Sequence, residues 1–232
     1  RRLSAALPLP RPLKVVVDCG NAIAARTAPP LLRALGCEVV ELYCEVDGRF
    51  PHHHPDPSIP ENLADLQAAV RDHRADIGLA FDGDADRLGV VTDAGEIIWP
   101  DRVLMPLAEE VLARHPGAAV VYDVKCSRHL TRLIERCGGR PILWKTGHSL
   151  IKAKMRETGA LLGGEMTGHF AHADEWFGFD DAFYAAARLL RLLARQGVAS
   201  AEFFAAYPAG LSTPELRLDM AEGEPFTFME RL

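Results

Sequence analysis

The sequence predicts an α/β protein made of two consecutive three-layer units with mixed, mostly parallel sheets. Short runs rich in β-branched residues alternate with stretches in which apolar residues recur at helical spacing, and this alternation is typical of layered α/β domains. A change of pattern near residues 95–100 divides the chain into two rounds of the alternation. We therefore expect domains at residues 1–96 and 97–208, followed by the start of a truncated domain at residues 209–232.

The first round of the alternation predicts strands and helices that follow one another closely. In chain order they are a strand at 13–18, a helix at 28–36, a strand at 37–43, a helix at 61–73, a strand at 75–81 and a hairpin at 88–99. Between the second strand and the second helix, residues 44–60 are rich in proline, glycine and aspartate. Such a composition predicts a long exposed loop.

The second round begins after Pro100. In chain order it predicts a helix at 101–115, a strand at 118–124, a helix at 127–138, a strand at 140–147, a helix at 148–159, a strand at 160–170 that runs into a glycine-rich loop, and a helix at 180–197. Asp101 and Ser127 stand where the first two of these helices begin, so we expect their side chains to cap them. After residue 209 the pattern starts a further strand and helix.

Composition and charge limit the classes of function. The chain has 232 residues, of which 48% are hydrophobic and 25% charged, and its net charge is −6. The negative charge argues against a nucleic-acid surface, and no apolar run reaches the roughly 18 residues of a membrane span. The five cysteines include no C-x-x-C pair, which favours reduced thiols in a cytoplasmic protein. The first residues lack an initiating Met and resemble a linker, so we expect a fragment.

One acidic loop carries the strongest chemical signal. In the stretch FDGDADRLGVV, Asp82, Asp84 and Asp86 alternate between two apolar runs that predict strands. Carboxylates this close repel one another unless a cation neutralises them, and oxygen-only ligands favour Mg²⁺, with Mn²⁺ as a substitute. A solvent-exposed acidic turn is the common alternative, but three aspartates between buried strands are hard to explain in that way.

Two other uses of such a loop do not fit its context. An EF-hand needs a bidentate Glu at the twelfth loop position, which here is Asp93, and strands rather than helices flank this loop. A haloacid-dehalogenase-like phosphatase places its Asp-x-Asp pair after the first strand, whereas this loop follows most of an α/β unit. The residues therefore predict a metal site and leave the reaction open.

A second loop groups polar side chains between glycines. In GGEMTGHF, Glu165, Thr167 and His169 present a carboxylate, a hydroxyl and an imidazole within five residues. These groups suit the neighbouring hydroxyls of a sugar, although a flexible surface turn explains the loop alone equally well. Lys125 and His148 follow two further predicted strands, and ligands of open α/β sheets gather at the carboxyl ends of strands. Three consecutive strand ends with polar groups therefore favour a binding site.

These motifs resemble those of one enzyme family. FDGDADRLGVV resembles the metal-binding loop of the α-D-phosphohexomutases, and GEMTGHF resembles their sugar-specificity loop. YDVKCSRHL, WKTGHSLIK and EWFGFDDAFYAAARLL are similar to segments of the bacterial phosphomannomutase/phosphoglucomutase subgroup. The resemblance extends from about Leu13 to the end of the chain. It implies a cleft between four domains, of which this chain would supply the second, the third and the start of the fourth.

The resemblance implies a mutase that interconverts hexose 1-phosphates and 6-phosphates of mannose and glucose. A phosphoserine gives its phosphoryl group to the sugar, and the bisphosphorylated sugar then returns the other phosphate to the serine. Mg²⁺ is the implied cofactor, and hexose 1,6-bisphosphate is the implied activator of the parent enzyme. The expected partners are phosphorylated hexoses and the first and fourth domains of the parent chain, with no nucleic acid and no membrane.

The resemblance also implies a role for each candidate residue. The metal ligands would be Asp82, Asp84 and Asp86. The residues that bind the sugar phosphate would be Lys125, His148, Glu165, Thr167 and His169. The catalytic candidates are Arg87, Lys125 and His169. Among these, His169 is the expected acid–base group because it adjoins the sugar loop, and Arg87 is expected to reach the phosphoryl group or the sugar unless it only forms a salt bridge within the acidic loop.

The chain departs from the family pattern at several positions. No serine lies in a TASHNP-like loop, which carries the phosphoserine of the family, and no phosphate-gripping loop like that of the fourth domain is found. Ala85 replaces a glycine of many members, a change that is tolerated unless the residue needs a positive φ. Thr167 replaces a serine and keeps the hydroxyl. His52, His53 and His54 suggest a second metal site, but their proline-flanked loop favours a structural role.

Two hypotheses about function follow from these features. In the first, the chain is a catalytic fragment of a phosphohexomutase and is inert alone, because the phosphoserine domain is missing. In the second, it is a short module that binds metal or sugar phosphate without catalysis. A longer parent reading frame, with a serine loop upstream and a phosphate-binding loop downstream, would support the first hypothesis.

Overall fold

Two β-sheets covered by helices dominate the computed structural model, which describes residue 3, residues 7–210 and residues 224–231. The first sheet has the strand order β2-β1-β3-β4-β5. Its strands are β1 (Lys14–Asp18), β2 (Glu38–Leu42), β3 (Ile77–Phe81), β4 (Leu88–Thr92) and β5 (Ile97–Ile98). β1 pairs in parallel with β2 and β3, whereas β4 is antiparallel to both of its neighbours.

Short helices connect the strands of the first sheet. They are α1 (Ala28–Ala34), α2 (Ala64–Asp72) and two 3₁₀ turns at Ile23–Arg26 and Pro60–Leu63. The predicted helix at 61–73 therefore begins with a 3₁₀ turn before it becomes α-helical. The other elements predicted for this part of the chain are confirmed to within about two residues, including the hairpin that turns between β4 and β5.

The second sheet repeats the arrangement of the first with one strand fewer. Its strand order is β7-β6-β8-β9. Its strands are β6 (Ala119–Asp123), β7 (Arg140–Trp144), β8 (Leu162–Gly164) and β9 (Phe170–His172). β6 pairs in parallel with β7 and β8, and β9 is antiparallel to β8. The predicted class, two α/β units with mixed sheets, is confirmed.

The helices that follow the first sheet in the chain agree with the prediction, except that one begins differently and that Ser200–Ala205 forms a short helix that was not predicted. They are α3 (Pro100–Arg114), α4 (Arg128–Arg136), α5 (His148–Thr158), α6 (Ala182–Gln196), α7 (Ser200–Ala205) and α8 (Glu224–Arg231). Ser127 caps α4 as predicted, because its side chain accepts a hydrogen bond from the backbone of His129. The predicted cap of α3 at Asp101 is wrong. Pro100 takes the first helical position, where its missing N–H is not needed, so Asp101 lies inside the helix and accepts a hydrogen bond from the Ser127 N–H instead.

One apolar core is shared by the two sheets. Val15 of β1 and Val120 of β6 both belong to it, and α3 and α6 contribute Leu104 and Leu189. The opposite faces of the sheets have cores of their own, since α2 packs on the first sheet and α5 on the second. Each sheet is therefore covered on both faces, and alternate residues of β1 and β6 enter different cores.

Two predicted segments differ from the structure. The strand expected at 160–170 is interrupted: β8 ends at Gly164, the chain reverses, and β9 returns beside it. The loop at 44–60 has no strand or helix before Pro60, as predicted, but it is not simply exposed. Pro55 and Pro57 are buried, and they pack in the space left by glycines 20 and 89.

Three further predictions concern the C-terminal elements, the cysteines and membrane-spanning helices. The helix expected near the C-terminus is α8, whereas the strand expected before it falls within residues 211–223, outside the described residues. The cysteines that the structure describes are free thiols, and the Sγ atoms of Cys19 and Cys44 lie 3.3 Å apart. Among the described helices, none combines the length and apolarity that crossing a bilayer requires.

Candidate functional site

The acidic loop connects β3 to the antiparallel strand β4. Asp82 follows the last residue of β3 and is 2% exposed, Asp86 is partly buried, and Asp84 is exposed. Carboxylate oxygens of the three residues lie within 4.8 Å of one another. The structure therefore brings the predicted metal ligands together, and their oxygen-only donor set fits a hard divalent cation such as Mg²⁺.

Backbone hydrogen bonds hold the acidic loop in a tight ring. Asp82 Oδ1 accepts hydrogen bonds from the N–H groups of Asp86 and Arg87, both at 3.0 Å. The N–H of Ala85 bonds to the Asp82 carbonyl at 3.2 Å, and Ala85 has a φ of +67°. Ala85 therefore does need a positive φ, and its backbone is strained, because glycine adopts this left-handed conformation without cost and alanine does not.

The acidic loop has an electrostatic cost that a cation would relieve. Burial and the negative charges of Asp82, Asp84 and Asp180 raise the pKa of Asp86 to about 6, although His169 acts in the opposite direction. A carboxyl group with a raised pKa has an unfavourable ionised form. A bound cation would stabilise that form. This electrostatic cost supports the metal site that the convergence of the three carboxylates indicates.

Arg87 forms the salt bridges that the sequence offered as an alternative role. Its Nε lies 2.8 Å from Asp82 Oδ2, and its Nη1 lies 3.0 Å from Asp56 Oδ1. Asp56 belongs to the segment at residues 43–59, and it was not among the residues predicted for the site. Arg87 is therefore held between the acidic loop and this segment, and a contact with a phosphoryl group stays a prediction.

The segment at residues 43–59, hereafter the covering segment, lies along the carboxyl edge of the first sheet. His53 Nε2 lies 3.0 Å from Asp18 Oδ2, at the end of β1. His52 Nδ1 lies 2.8 Å from Asn21 Oδ1, and its ring stacks on Tyr43 with the centroids 3.8 Å apart. Both histidines thus have structural partners, in agreement with the structural role expected for them.

The polar loop between β8 and β9 is a closed turn. The Glu165 N–H bonds to the His169 carbonyl at 3.0 Å, and the Gly168 N–H bonds to the Glu165 carbonyl at 3.1 Å. Glu165 is buried, and its Oε1 accepts a hydrogen bond from the Gly147 N–H just before α5. Thr167 is partly buried in the same turn. The turn is therefore fixed rather than flexible.

The polar loop and the acidic loop touch directly. The Leu88 N–H, at the end of the acidic loop, bonds to the Gly168 carbonyl at 3.1 Å. Gly168 has a φ of +102°, and a Cβ there would lie 3.1 Å from the Leu88 carbonyl, so a larger residue would push the loops apart. His169 Nδ1 lies 3.5 Å from Asp86 Oδ1. Loops from different sheets thus build one continuous polar surface.

The other predicted residues line the carboxyl edge of the second sheet. His148 is half-exposed at the start of α5, and its ring stacks on His169 with the centroids 5.0 Å apart. Lys125 is exposed in the turn between β6 and α4. Asp123 at the end of β6 is buried and was not predicted. It joins the neighbouring loops, since it accepts hydrogen bonds from Thr146 Oγ1 at 3.0 Å and from the Met166 N–H at 3.1 Å.

The fold and the site define a class of protein. The class is a protein of two α/β units in which a three-carboxylate loop of the first sheet meets a Glu-Thr-His loop of the second. Residues 4–95 match the family model for "Phosphoglucomutase/phosphomannomutase, alpha/beta/alpha domain II", and residues 99–209 match the model for domain III. The chain belongs to the phosphoglucomutase/phosphomannomutase family.

Individual relatives agree with this assignment. A phosphomannomutase/phosphoglucomutase of Pseudomonas aeruginosa is 57% identical over 226 residues, which cover 97% of this chain and 49% of the relative. A phosphoglucomutase of Neisseria gonorrhoeae is 54% identical over 215 residues, which cover 93% of this chain and 46% of the relative. The crystal structure of a phosphoglucomutase/phosphomannomutase family protein from Burkholderia thailandensis has 57% identity and a TM-score of 0.89, over 92% of this chain and 46% of that one. The chain thus spans about half the length of the curated relatives it matches.

Proposed function

We propose that this chain is the metal-binding and sugar-binding part of a phosphohexomutase whose full length interconverts the 1-phosphates and 6-phosphates of mannose and glucose. The observation that carries the proposal is the direct contact between the acidic loop and the polar loop, through the 3.1 Å hydrogen bond from Leu88 to Gly168. Phosphoryl transfer to a sugar needs positive charge at the phosphoryl group and a fixed sugar hydroxyl beside it. The two loops supply these requirements side by side.

The acidic loop would serve the phosphoryl group. Asp82, Asp84 and Asp86 would hold Mg²⁺, which would neutralise negative charge on the transferring group. Arg87 adds a fixed positive charge next to these carboxylates, because Asp82 and Asp56 hold its guanidinium on two sides. A guanidinium held in this way can meet phosphate oxygens without a large loss of side-chain entropy.

The polar loop would serve the sugar. Glu165 uses one oxygen to hold Gly147, which leaves the other for a sugar hydroxyl, and Thr167 offers a second polar contact two residues later. His169 would take or return the proton of the attacking hydroxyl, since it joins the two loops and an imidazole suits proton transfer near neutral pH. Lys125 and His148 would contact the phosphorylated hexose from the neighbouring strand ends.

The reaction would run through a phosphoserine supplied by another part of the full-length protein. That phosphoserine gives its phosphoryl group to the sugar. The resulting hexose 1,6-bisphosphate reverses its orientation in the cleft, and its other phosphoryl group returns to the serine. Free hexose 1,6-bisphosphate would act as an activator, because it can phosphorylate the serine. The second candidate, a module that binds without catalysis, has no observation that favours it.

The test is the activity of the full-length parent protein with glucose 1-phosphate and mannose 1-phosphate, in the presence and absence of Mg²⁺. We expect Mg²⁺-dependent conversion by the parent, and none by the 232-residue chain. Glu165→Gln keeps an oxygen for Gly147 but removes the charge, and we expect catalytic efficiency to fall by about one to two powers of ten for both sugars and in both directions. Glu165→Ala, which also releases Gly147, should lose at least as much.

The matched control is Glu157→Ala, which removes an exposed carboxylate at the far end of α5. It should leave efficiency unchanged. Conversion by the pure chain would contradict the need for a separate phosphoserine domain. A parent that binds hexose phosphate and converts none would favour the module without catalysis.

A further inference from the structure

Asp180 lies where the backbone holds it firmly beside the polar loop. It precedes α6 and forms an isolated antiparallel bridge with Ala171 of β9. On either side of it, the Asp181 N–H bonds to the Phe170 carbonyl at 3.1 Å, and the Gly178 N–H bonds to the His172 carbonyl at 2.8 Å. The position of Asp180 is therefore set by strand pairing.

The carboxylate of Asp180 is a meeting point for three basic side chains. Its Oδ2 lies 3.1 Å from His169 Nδ1 and 3.1 Å from His148 Nδ1, and its Oδ1 lies 2.6 Å from Lys152 Nζ. The side chain is only 8% exposed. Burial alone would raise the pKa of Asp180, but His169 and Lys152 outweigh it and hold the pKa well below the usual range. A buried, ionised carboxylate thus stands behind both histidines of the site.

The charges around His169 favour a proton on one nitrogen of its neutral ring. Nδ1 faces two carboxylates, Asp180 at 3.1 Å and Asp86 at 3.5 Å, and a carboxylate can only accept a hydrogen bond. The charges of the two carboxylates therefore favour a neutral ring with its proton on Nδ1, although His169 Nδ1 and Asp180 Oδ2 are not aligned as a hydrogen bond in the structure, and Nε2 is the nitrogen left for a ligand. Asp180 is also the nearer of the two partners, so it competes with Asp86 for the imidazole.

We propose that Asp180 is a positioning residue, which holds His169 with its proton on Nδ1 and Nε2 presented to the sugar phosphate, and which leaves Asp86 available for the cation. The proposal rests on the proposed function for the identity of the ligand, but the state of the His169 ring is a property of this chain alone. The competing explanation is structural: Asp180 would pin α5 through Lys152 and leave the histidine rings unaffected.

The test on the chain itself measures the tautomer of His169 by ¹⁵N–¹H imidazole spectroscopy without metal. A pH of about 9.5 lies well above the ordinary histidine pKa of about 6.5, and this margin is needed because, although burial opposes them, Asp180 and Asp86 raise the pKa of His169. The wild-type ring should carry its proton on Nδ1. In Asp180→Asn, Lys152 should draw the amide oxygen to its own side and turn the NH₂ group toward His169, so the ring should carry its proton on Nε2 instead.

Asp180→Ala provides a second variant, which removes the carboxylate and places no NH₂ donor beside His169. The population of the Nδ1 tautomer should therefore fall, but the Nε2 tautomer need not become dominant. Asp181→Asn is the matched control, because Asp181 caps α6 and accepts a hydrogen bond from Trp176, and neither contact involves a histidine. It should keep the wild-type tautomer. A wild-type ring protonated on Nε2 would overturn the proposal without any variant, and so would an unchanged Nδ1 tautomer in folded Asp180→Asn.

The kinetic arm uses the full-length parent. Asp180→Asn should lower kcat by about 10- to 100-fold and leave KM for the sugar phosphate nearly unchanged, because it removes part of the roughly 10²- to 10⁴-fold contribution of a positioned acid–base group. A rise in KM alone would favour the structural explanation. If the parent has no mutase activity, the proposed function fails, and the tautomer measurement still decides the role of Asp180.

Discussion

At the scale of single residues, Ala85 has the clearest conflict between side chain and backbone. It lies in the acidic loop with a φ of +67°, and the residue is buried. A left-handed conformation costs a residue with a Cβ roughly 1–2 kcal/mol, whereas glycine adopts it freely. Most of that cost disappears in Ala85→Gly, but the glycine loses more entropy on folding.

We therefore expect Ala85→Gly to raise the free energy of unfolding by about 0.5–1 kcal/mol, as measured by urea denaturation. The control is Ala94→Gly in the turn between β4 and β5, where the φ is not positive. That change should lower stability by about 0.5–1 kcal/mol, because only the entropy term remains. Equal losses in both variants would show that the loop does not strain Ala85.

Most residues of the site could be predicted from the sequence, because they follow predicted strands. Asp82, Glu165 and Lys125 come after β3, β8 and β6, and the carboxyl ends of neighbouring parallel strands lie at one edge of a sheet. Asp56 and Asp180 were not predictable in the same way. Their places are set by tertiary contacts of irregular segments, with Arg87 in one example and with β9 in the other, and no local pattern marks them.

At the scale of elements, the covering segment owes its shape to a few long-range contacts. It has no internal helix or strand, yet Pro55 and Pro57 are buried and His53 pairs with Asp18. Burial alone would lower the pKa of His53, but the hydrogen bond to Asp18 outweighs it, so the pKa is raised in the folded chain. The charged pair therefore stabilises the fold fully below the unfolded pKa of about 6.5, and this stabilisation is lost as the pH rises through the raised value.

His53→Gln should accordingly lower the free energy of unfolding by about 1 kcal/mol more at pH 6 than at pH 9, which is the modest size expected for a charged hydrogen bond that solvent can reach. Denaturant unfolding at the two pH values measures the difference. His73→Gln, at the exposed end of α2, is the control and should show no such dependence. A loss that is equal at both pH values would mean that the pair is not charged.

Elements with strong local signals were predictable, and those without were not. α5 and α6 end at Gly159 and Gly197, both in the left-handed conformation that closes a helix, so their bounds could be taken from the sequence. β9 has only three residues and follows a glycine-rich turn, so its reversal against β8 left no pattern to detect. Proline and glycine in the covering segment predicted irregular structure correctly but said nothing about its burial.

At the scale of the whole molecule, two units of the same design are joined at both edges. In each, the first strand of the unit is second in the sheet order and lies between two parallel neighbours, and a buried aspartate ends it, Asp18 in β1 and Asp123 in β6. The carboxyl edges meet where Leu88 bonds to Gly168. The opposite edges meet at α7, where Ser200 lies against the first unit. The sequence predicted the two units, but their joining depends on side chains far apart in the chain.

Ser200 tests whether the two units fold as one. Its side chain is fully buried, its Oγ lies 2.6 Å from the Asp76 carbonyl, and it accepts a hydrogen bond from the Asp93 N–H at 2.8 Å. Ser200→Ala leaves that part-buried N–H and the Asp76 carbonyl without this partner, so we expect the free energy of unfolding to fall by about 1–3 kcal/mol. Because the units share one apolar core, the loss should appear as a shift of a single transition in calorimetry, with equal calorimetric and van't Hoff enthalpies. Two separate transitions, of which the variant moves only one, would show instead that the sheets unfold independently and that the site between them can open without loss of either unit.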